Sequence, residues 1–235
     1  MTEDETALRE KAMEEYARLL ERYGERPRVP RREPMHELIS TMLSHRTTQQ
    51  NEARAFQNMW ERFGSWEALR DAPEEELIEA IKPANFPEAK APRIKEALTR
   101  IIEERGEPSI DFLVQLPADE GLAWLMDLPG VGIKTASLVL LFCFGKPVLP
   151  VDTHVHRVAG RVGLIGAKTS AAAAHHDLLD LLPHDDNVLY NFHINNLLHG
   201  QQTCVWKNPR CHKCPLPEIC DWYQENRAGK GRGTK

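Results

Sequence analysis

The chain has 235 residues, with 30 Lys+Arg against 35 Asp+Glu, a formal net charge of −5. That length suits one large or two small domains and is ample for a buried core. Its longest nearly apolar run, Ala136 to Phe144, is too short to cross a bilayer, and the start Met-Thr-Glu-Asp-Glu lacks a secretion signal, so a cytoplasmic, non-secreted protein is expected. A negative total argues against a nucleic-acid binder only if the charge is evenly spread, and it is not. Residues 1–127 carry a net −9 and residues 128–235 a net +4. Acidic runs such as Glu74-Glu75-Glu76 read as solvated helix faces, and the basic tail Arg227–Lys235 reads as a loose end able to touch phosphates.

In chain order, apolar spacing predicts a helix over 6–23, then a stiff linker carrying Pro27, Pro30 and Pro34. Helical stretches are expected at about 35–44, 48–63, 66–71, 74–82, 87–105, 109–115 and 119–127. A helix over 132–144 is so apolar that it should be buried on every side, with Cys143 a buried structural thiol. Helices over 153–163, 169–182 and 186–199 precede a cysteine-rich end. No stretch alternates with period two, so the fold class is all-α.

Cys204, Cys211, Cys214 and Cys220 form a C-x6-C-x2-C-x5-C pattern. Without an export signal, clustered cysteines point to a metal site before disulfides. Zinc sites built from four cysteines usually pair two C-x2-C knuckles, and here there is one; iron–sulfur clusters tolerate uneven spacing. The spacing favours the cluster and leaves zinc open.

Leu128-Pro129-Gly130-Val131-Gly132 lies between two helices. A tight glycine hairpin and the free N–H groups of the next helix can bind a phosphate without net charge; the plainer reading is a helix–helix turn. Lys134 sits just inside that helix, where the dipole and apolar neighbours favour a neutral, nucleophilic amine; contact with phosphate is the alternative. Asp152 opens the following helix, as an N-cap, as a carboxylate serving Lys134, or as both.

The run LPGVGIKTASLVLLFCFGKPVLPVDTHVHRVAGRVGL, followed by the four cysteines, resembles the endonuclease III family of DNA glycosylases, over roughly residues 35–222. The resemblance implies a [4Fe–4S] cluster on Cys204, Cys211, Cys214 and Cys220. It implies two helical domains with a DNA-binding cleft between them. Residues 36–146 would form a six-helix domain with the helix–hairpin–helix motif; 1–35 with 147–235 would form the cluster domain. Lys134 would be the nucleophile and Asp152 its partner, in a monomeric enzyme acting on double-stranded DNA with damaged bases or abasic sites. It would join glycosylase to β-elimination lyase activity, with oxidised pyrimidines the expected lesions. A monofunctional mismatch or uracil/thymine glycosylase, which would lack the lysine, and a non-enzymatic DNA-binding module are the alternatives.

Two departures bear on substrate. Arg46 falls where the family has a glutamine that fills the gap left by a flipped base, and Gln49 replaces the usual acid. Phe86 aligns with a wedging leucine, ordinary packing being the other reading. Lys207 and Arg210, with Lys213, offer phosphate contacts from the cysteine loop, unless that loop is simply solvated. The histidine pairs His175-His176 and His193 with His199 read as interhelix or surface groups rather than a second metal site. With so few local cations, the salt dependence of DNA binding should be shallow.

Overall fold

The computed structural model describes residues 2–30 and 32–230, the last four of them by backbone alone; residues 231–235 of the basic tail, and the side chains of 227–230, lie outside the described residues. All regular structure among the described residues is helical. The chain divides into two compact units, Met1–Arg28 with Pro147–Lys235, and Val29–Lys146.

The unit Val29–Lys146 holds α2 (Pro34–Ser44), α3 (Gln49–Phe63), α4 (Trp66–Asp71), α5 (Glu74–Ala80), α6 (Pro87–Arg105), α7 (Ala118–Asp127) and α8 (Ile133–Phe144). Local chemistry sets the boundaries. Glu33, Thr48 and Ser65 side chains accept from the first-turn N–H groups of α2, α3 and α4, and proline at the first position opens α2 and α6. At the core of the unit, α8 packs on α2 and α7. Thr135 to Leu141 are buried without a break, but Phe142, Cys143 and Phe144 are half-exposed. Burial on every side therefore holds for seven residues and fails at the last turn, where the helix leaves the core. The stretch expected over 109–115 is a 3-10 helix, Asp111–Gln115, opened by Ser109, whose hydroxyl accepts from Asp111 N–H at 3.1 Å.

The other unit holds α1 (Glu3–Tyr23), α9 (Thr153–Val162), α10 (Ala171–Leu179), α11 (Asp186–Gln202) and α12 (Asp221–Lys230). α1 starts earlier than its apolar spacing indicates because Thr2 and Glu5 form a capping box. α11 packs on α1 and α9 and is buried although rich in polar residues. Several of these side chains bind main-chain groups, while His199 binds the Tyr23 hydroxyl and Cys214 Sγ. Asn191 clasps the peptide of Arg26 through both its amide oxygen (2.8 Å) and nitrogen (2.9 Å). His193 Nδ1 lies 2.8 Å from Pro150 O, and His175 Nδ1 lies 2.8 Å from Leu149 O. These histidines fasten segments together, as the sequence suggested. α12, polar and amphipathic, lay beyond what the spacing indicated.

Candidate DNA-processing site

In the hairpin, Leu128 and Val131 are buried and anchor the turn, closed by Val131 N–H donating to Leu128 O at 3.1 Å. Gly130 has φ +80°, a backbone that favours glycine, and a Cβ there would lie 3.0 Å from Arg93 Cδ, a side chain that would have to give way. Pro129 is half-buried and Gly132 is exposed. Gly132 is the N-cap of α8 and offers no side-chain cap of its own to the first turn. Lys134, half-buried, is the second residue of that helix.

Beside it stands His45, whose Nε2 lies 3.0 Å from Thr135 Oγ1. Burial pushes the His45 imidazole down to about 4, and the charges of Lys134, Lys90 and Arg93 add to the effect. A neutral histidine thus sits among three basic side chains, a local gathering that the chain total of −5 conceals.

Arg46 and Phe86 are brought together. Both are exposed, both have left-handed backbones (φ 53° and 61°), and the Arg46 guanidinium lies 5.9 Å from the Phe86 ring centre. Phe86 is 56% exposed, so ordinary packing does not account for it.

Asp152 caps α9. Its Oδ1 accepts from His154 N–H and Val155 N–H, each at 2.8 Å, while Oδ2 has no hydrogen bond among the described residues. His154 Nδ1 is 3.0 Å from Arg157 Nη2, and Arg157 also donates to Gly200 O at 2.8 Å and Cys204 O at 2.9 Å. One turn on, Arg161 donates to Cys204 Sγ (3.2 Å), Val205 O (2.9 Å) and Trp206 O (3.0 Å). Two arginines of α9 thus fasten the cysteine loop to the helix that Asp152 opens. Neither arginine was singled out from the sequence, although their i, i+4 spacing places both on one face.

Cys204, Cys211, Cys214 and Cys220 all line one cavity of about 320 Å³, counting its mouth, walled also by Trp222 and Tyr223. The set suits a multi-atom cluster. All four donors are thiols, they surround a space rather than share a point, and donors already aim at the sulfurs: Arg161 at Cys204, Leu216 N–H at Cys214 (3.4 Å). Burial pushes the Cys214 thiol up to about 12, so a thiolate there requires a cationic centre to offset it. His199 Nε2 lies 3.4 Å from Cys214 Sγ, and its Nδ1 lies 3.0 Å from the Tyr23 hydroxyl. Lys207, Arg210 and Lys213 are exposed on this loop beside Trp206, which is 71% exposed; Arg210 Nη1 donates to Gln202 O at 3.0 Å.

The family model for HhH-GPD superfamily base excision DNA repair proteins matches residues 39–184. Endonuclease III of Thermotoga maritima is 36% identical over 200 residues, covering 85% of this chain and 87% of that protein. Endonuclease III of Treponema pallidum is 34% identical over 185 residues, covering 78% and 81%. A trapped covalent intermediate of endonuclease III with DNA, containing an estranged adenine, superposes with a TM-score of 0.79 at 24% identity, covering 93% of this chain and 98% of that one.

Proposed function

The chain belongs to the endonuclease III family, within the HhH-GPD superfamily of base excision DNA repair proteins, and we propose that Lys134 and Asp152 carry its chemistry. The enzyme is a bifunctional DNA glycosylase and abasic-site lyase acting in base excision repair. The observation that carries the residue assignment is the position of Lys134, in the first turn of a helix opened by an uncapped glycine hairpin. The hairpin N–H groups hold a backbone phosphate, and a nucleotide extruded from the stack comes within reach of the amine.

The sequence of bonds follows. Lys134 Nζ attacks the sugar C1′, the N-glycosidic bond breaks, and the base leaves with its bonding pair and takes a proton from water. Asp152 is assigned the proton shed by the lysine amine and the offset of the positive charge that develops at the sugar. The sugar ring opens to a Schiff base between Nζ and C1′; loss of a proton from C2′ expels the 3′ phosphate, and water then releases the lysine. Oxidised pyrimidines in double-stranded DNA are the proposed substrates, and the enzyme is proposed to act as a monomer.

We assign Cys204, Cys211, Cys214 and Cys220 as the ligands of a [4Fe–4S] cluster. When bound, the cluster supplies a rigid charged staple for the loop, since cleaving an N-glycosidic bond needs no electron transfer. Lys207, Arg210 and Lys213 then reach phosphates from a fixed platform. Among the described residues, no helix is long and apolar enough to cross a membrane.

Borohydride trapping on a lesion-containing duplex tests the nucleophile. Wild type should form a covalent adduct and Lys134→Ala none; equal trapping by both would reject the assignment. A panel of thymine glycol, dihydrouracil, 5-hydroxycytosine, uracil mismatches and a plain abasic site tests the lesion class. A brown native preparation supports the cluster, and a colourless zinc-loaded one contradicts it.

A further inference from the structure

Lys90 is a lysine that the reaction above leaves without a task. It lies on α6, one turn after Phe86, and is only 7% exposed. A lysine buried that deeply needs partners for all three of its N–H donors. Its Nζ donates to Leu43 O at 2.6 Å, to His45 O at 2.8 Å and to Thr47 Oγ1 at 3.1 Å. Leu43 and His45 are the last turn and cap of α2, where carbonyls lack helical partners and the dipole favours a cation.

The same loop is tied from a second side. Asn85 Nδ2 donates to Arg46 O at 2.5 Å, and Asn85 N–H donates to Thr47 Oγ1 at 3.0 Å. Thr47 Oγ1 is therefore shared by Lys90 and Asn85, and the loop before α3 is joined to the loop before α6. The two residues these ties flank, Arg46 and Phe86, hold left-handed backbones that are strained in a residue other than glycine. Strain of this kind persists where surrounding bonds over-determine it, and it concentrates where a side chain must be presented.

We propose that Lys90 is a positioning residue: by clamping Leu43, His45 and Thr47 it presets the Arg46–Phe86 pair as one rigid probe of the DNA duplex. The proposal rests on the DNA-repair reading above. Lys90 touches no substrate, and its effect passes entirely through the pair it holds.

The test is a mutant cycle. Incision of an abasic-site duplex, and the fluorescence of 2-aminopurine placed opposite the site, are measured for wild type, Lys90→Met and Asn85→Ala, then again in an Arg46→Ala/Phe86→Ala background. Lys90→Met should lower kcat/KM and slow the fluorescence rise roughly ten- to a hundredfold, the scale of a displacement near 1 Å. Asn85→Ala, at an exposed position, should lose several-fold and keeps the test decisive if Lys90→Met fails to fold. Both losses should vanish in the double-alanine background. Equal losses in the two backgrounds, or none in the wild-type background, overturn the proposal. If wild type incises nothing, the lyase reading fails instead, and the 2-aminopurine signal, which needs no incision, still decides the role of Lys90.

Discussion

Glu15 is fully buried on α1, against α11, and neither of its oxygens makes a well-formed hydrogen bond. Asn196, also fully buried, leaves its Oδ1 without a donor. Burial pushes the Glu15 carboxyl from an ordinary 4.5 up to about 8, only partly offset by the Asn196 amide and the Lys11 charge. At neutral pH the folded protein therefore holds Glu15 as a neutral acid, while the unfolded chain ionises it. A folded value above the unfolded one means that Glu15 weighs nothing against stability below pH 4.5, and that its cost grows as pH rises to 8. Each pH unit in that window costs about 1.4 kcal/mol. The cost is about 3 kcal/mol at pH 7 and about 5 kcal/mol above pH 8. Glu15→Gln keeps the shape and removes the titration. Urea unfolding of the holoprotein, followed through Trp206 and Trp222 in the same unit, should show the variant gaining about 2 kcal/mol on wild type between pH 6 and 8. A difference that stays flat across that range would refute the reasoning.

Two further outcomes follow from the geometry. Gly130→Ala forces a positive φ on alanine and brings its Cβ to 3.0 Å from Arg93; it should cost about 1–2 kcal/mol in urea unfolding and weaken DNA binding in a filter or anisotropy assay. Arg161→Gln removes the charged donor to Cys204 Sγ and two loop carbonyls, so the visible absorption of the loaded protein should bleach roughly tenfold faster under oxygen and chelator, with Arg161→Lys intermediate.

The helices were legible where short-range chemistry decides them. Pro87 opens α6, and Gly64, Gly106 and Gly163 close α3, α6 and α9 in the left-handed conformation, whereas Pro34, expected in the linker, is the first residue of α2. The 3-10 turn at Asp111–Gln115 was not, since apolar spacing over five residues suits both helix types. The four cysteines could be read as a group because their chemistry is specific at any geometry. Lys90 could not: a lysine on an amphipathic helix looks solvated, and only the path of a loop 43–47 residues into the chain turns it inward. Arg157 and Arg161 were hidden for the same reason, their partners being carbonyls that carry no mark in sequence.

The buried polar face between α1 and α11 also bears on how the chain is made. The helix that covers α1 lies about 180 residues further along the chain, so at ~5–20 residues/s α1 waits roughly 10–35 s for its partner during synthesis. Residues 29–146 finish in the interval and hold a unit of their own. During the wait Glu15 stands in water as an ordinary carboxylate, and an apolar residue there would leave α1 with a continuous sticky stripe alongside Ala12 and Leu19. At neutral pH, closing α11 over α1 therefore takes up one proton at Glu15.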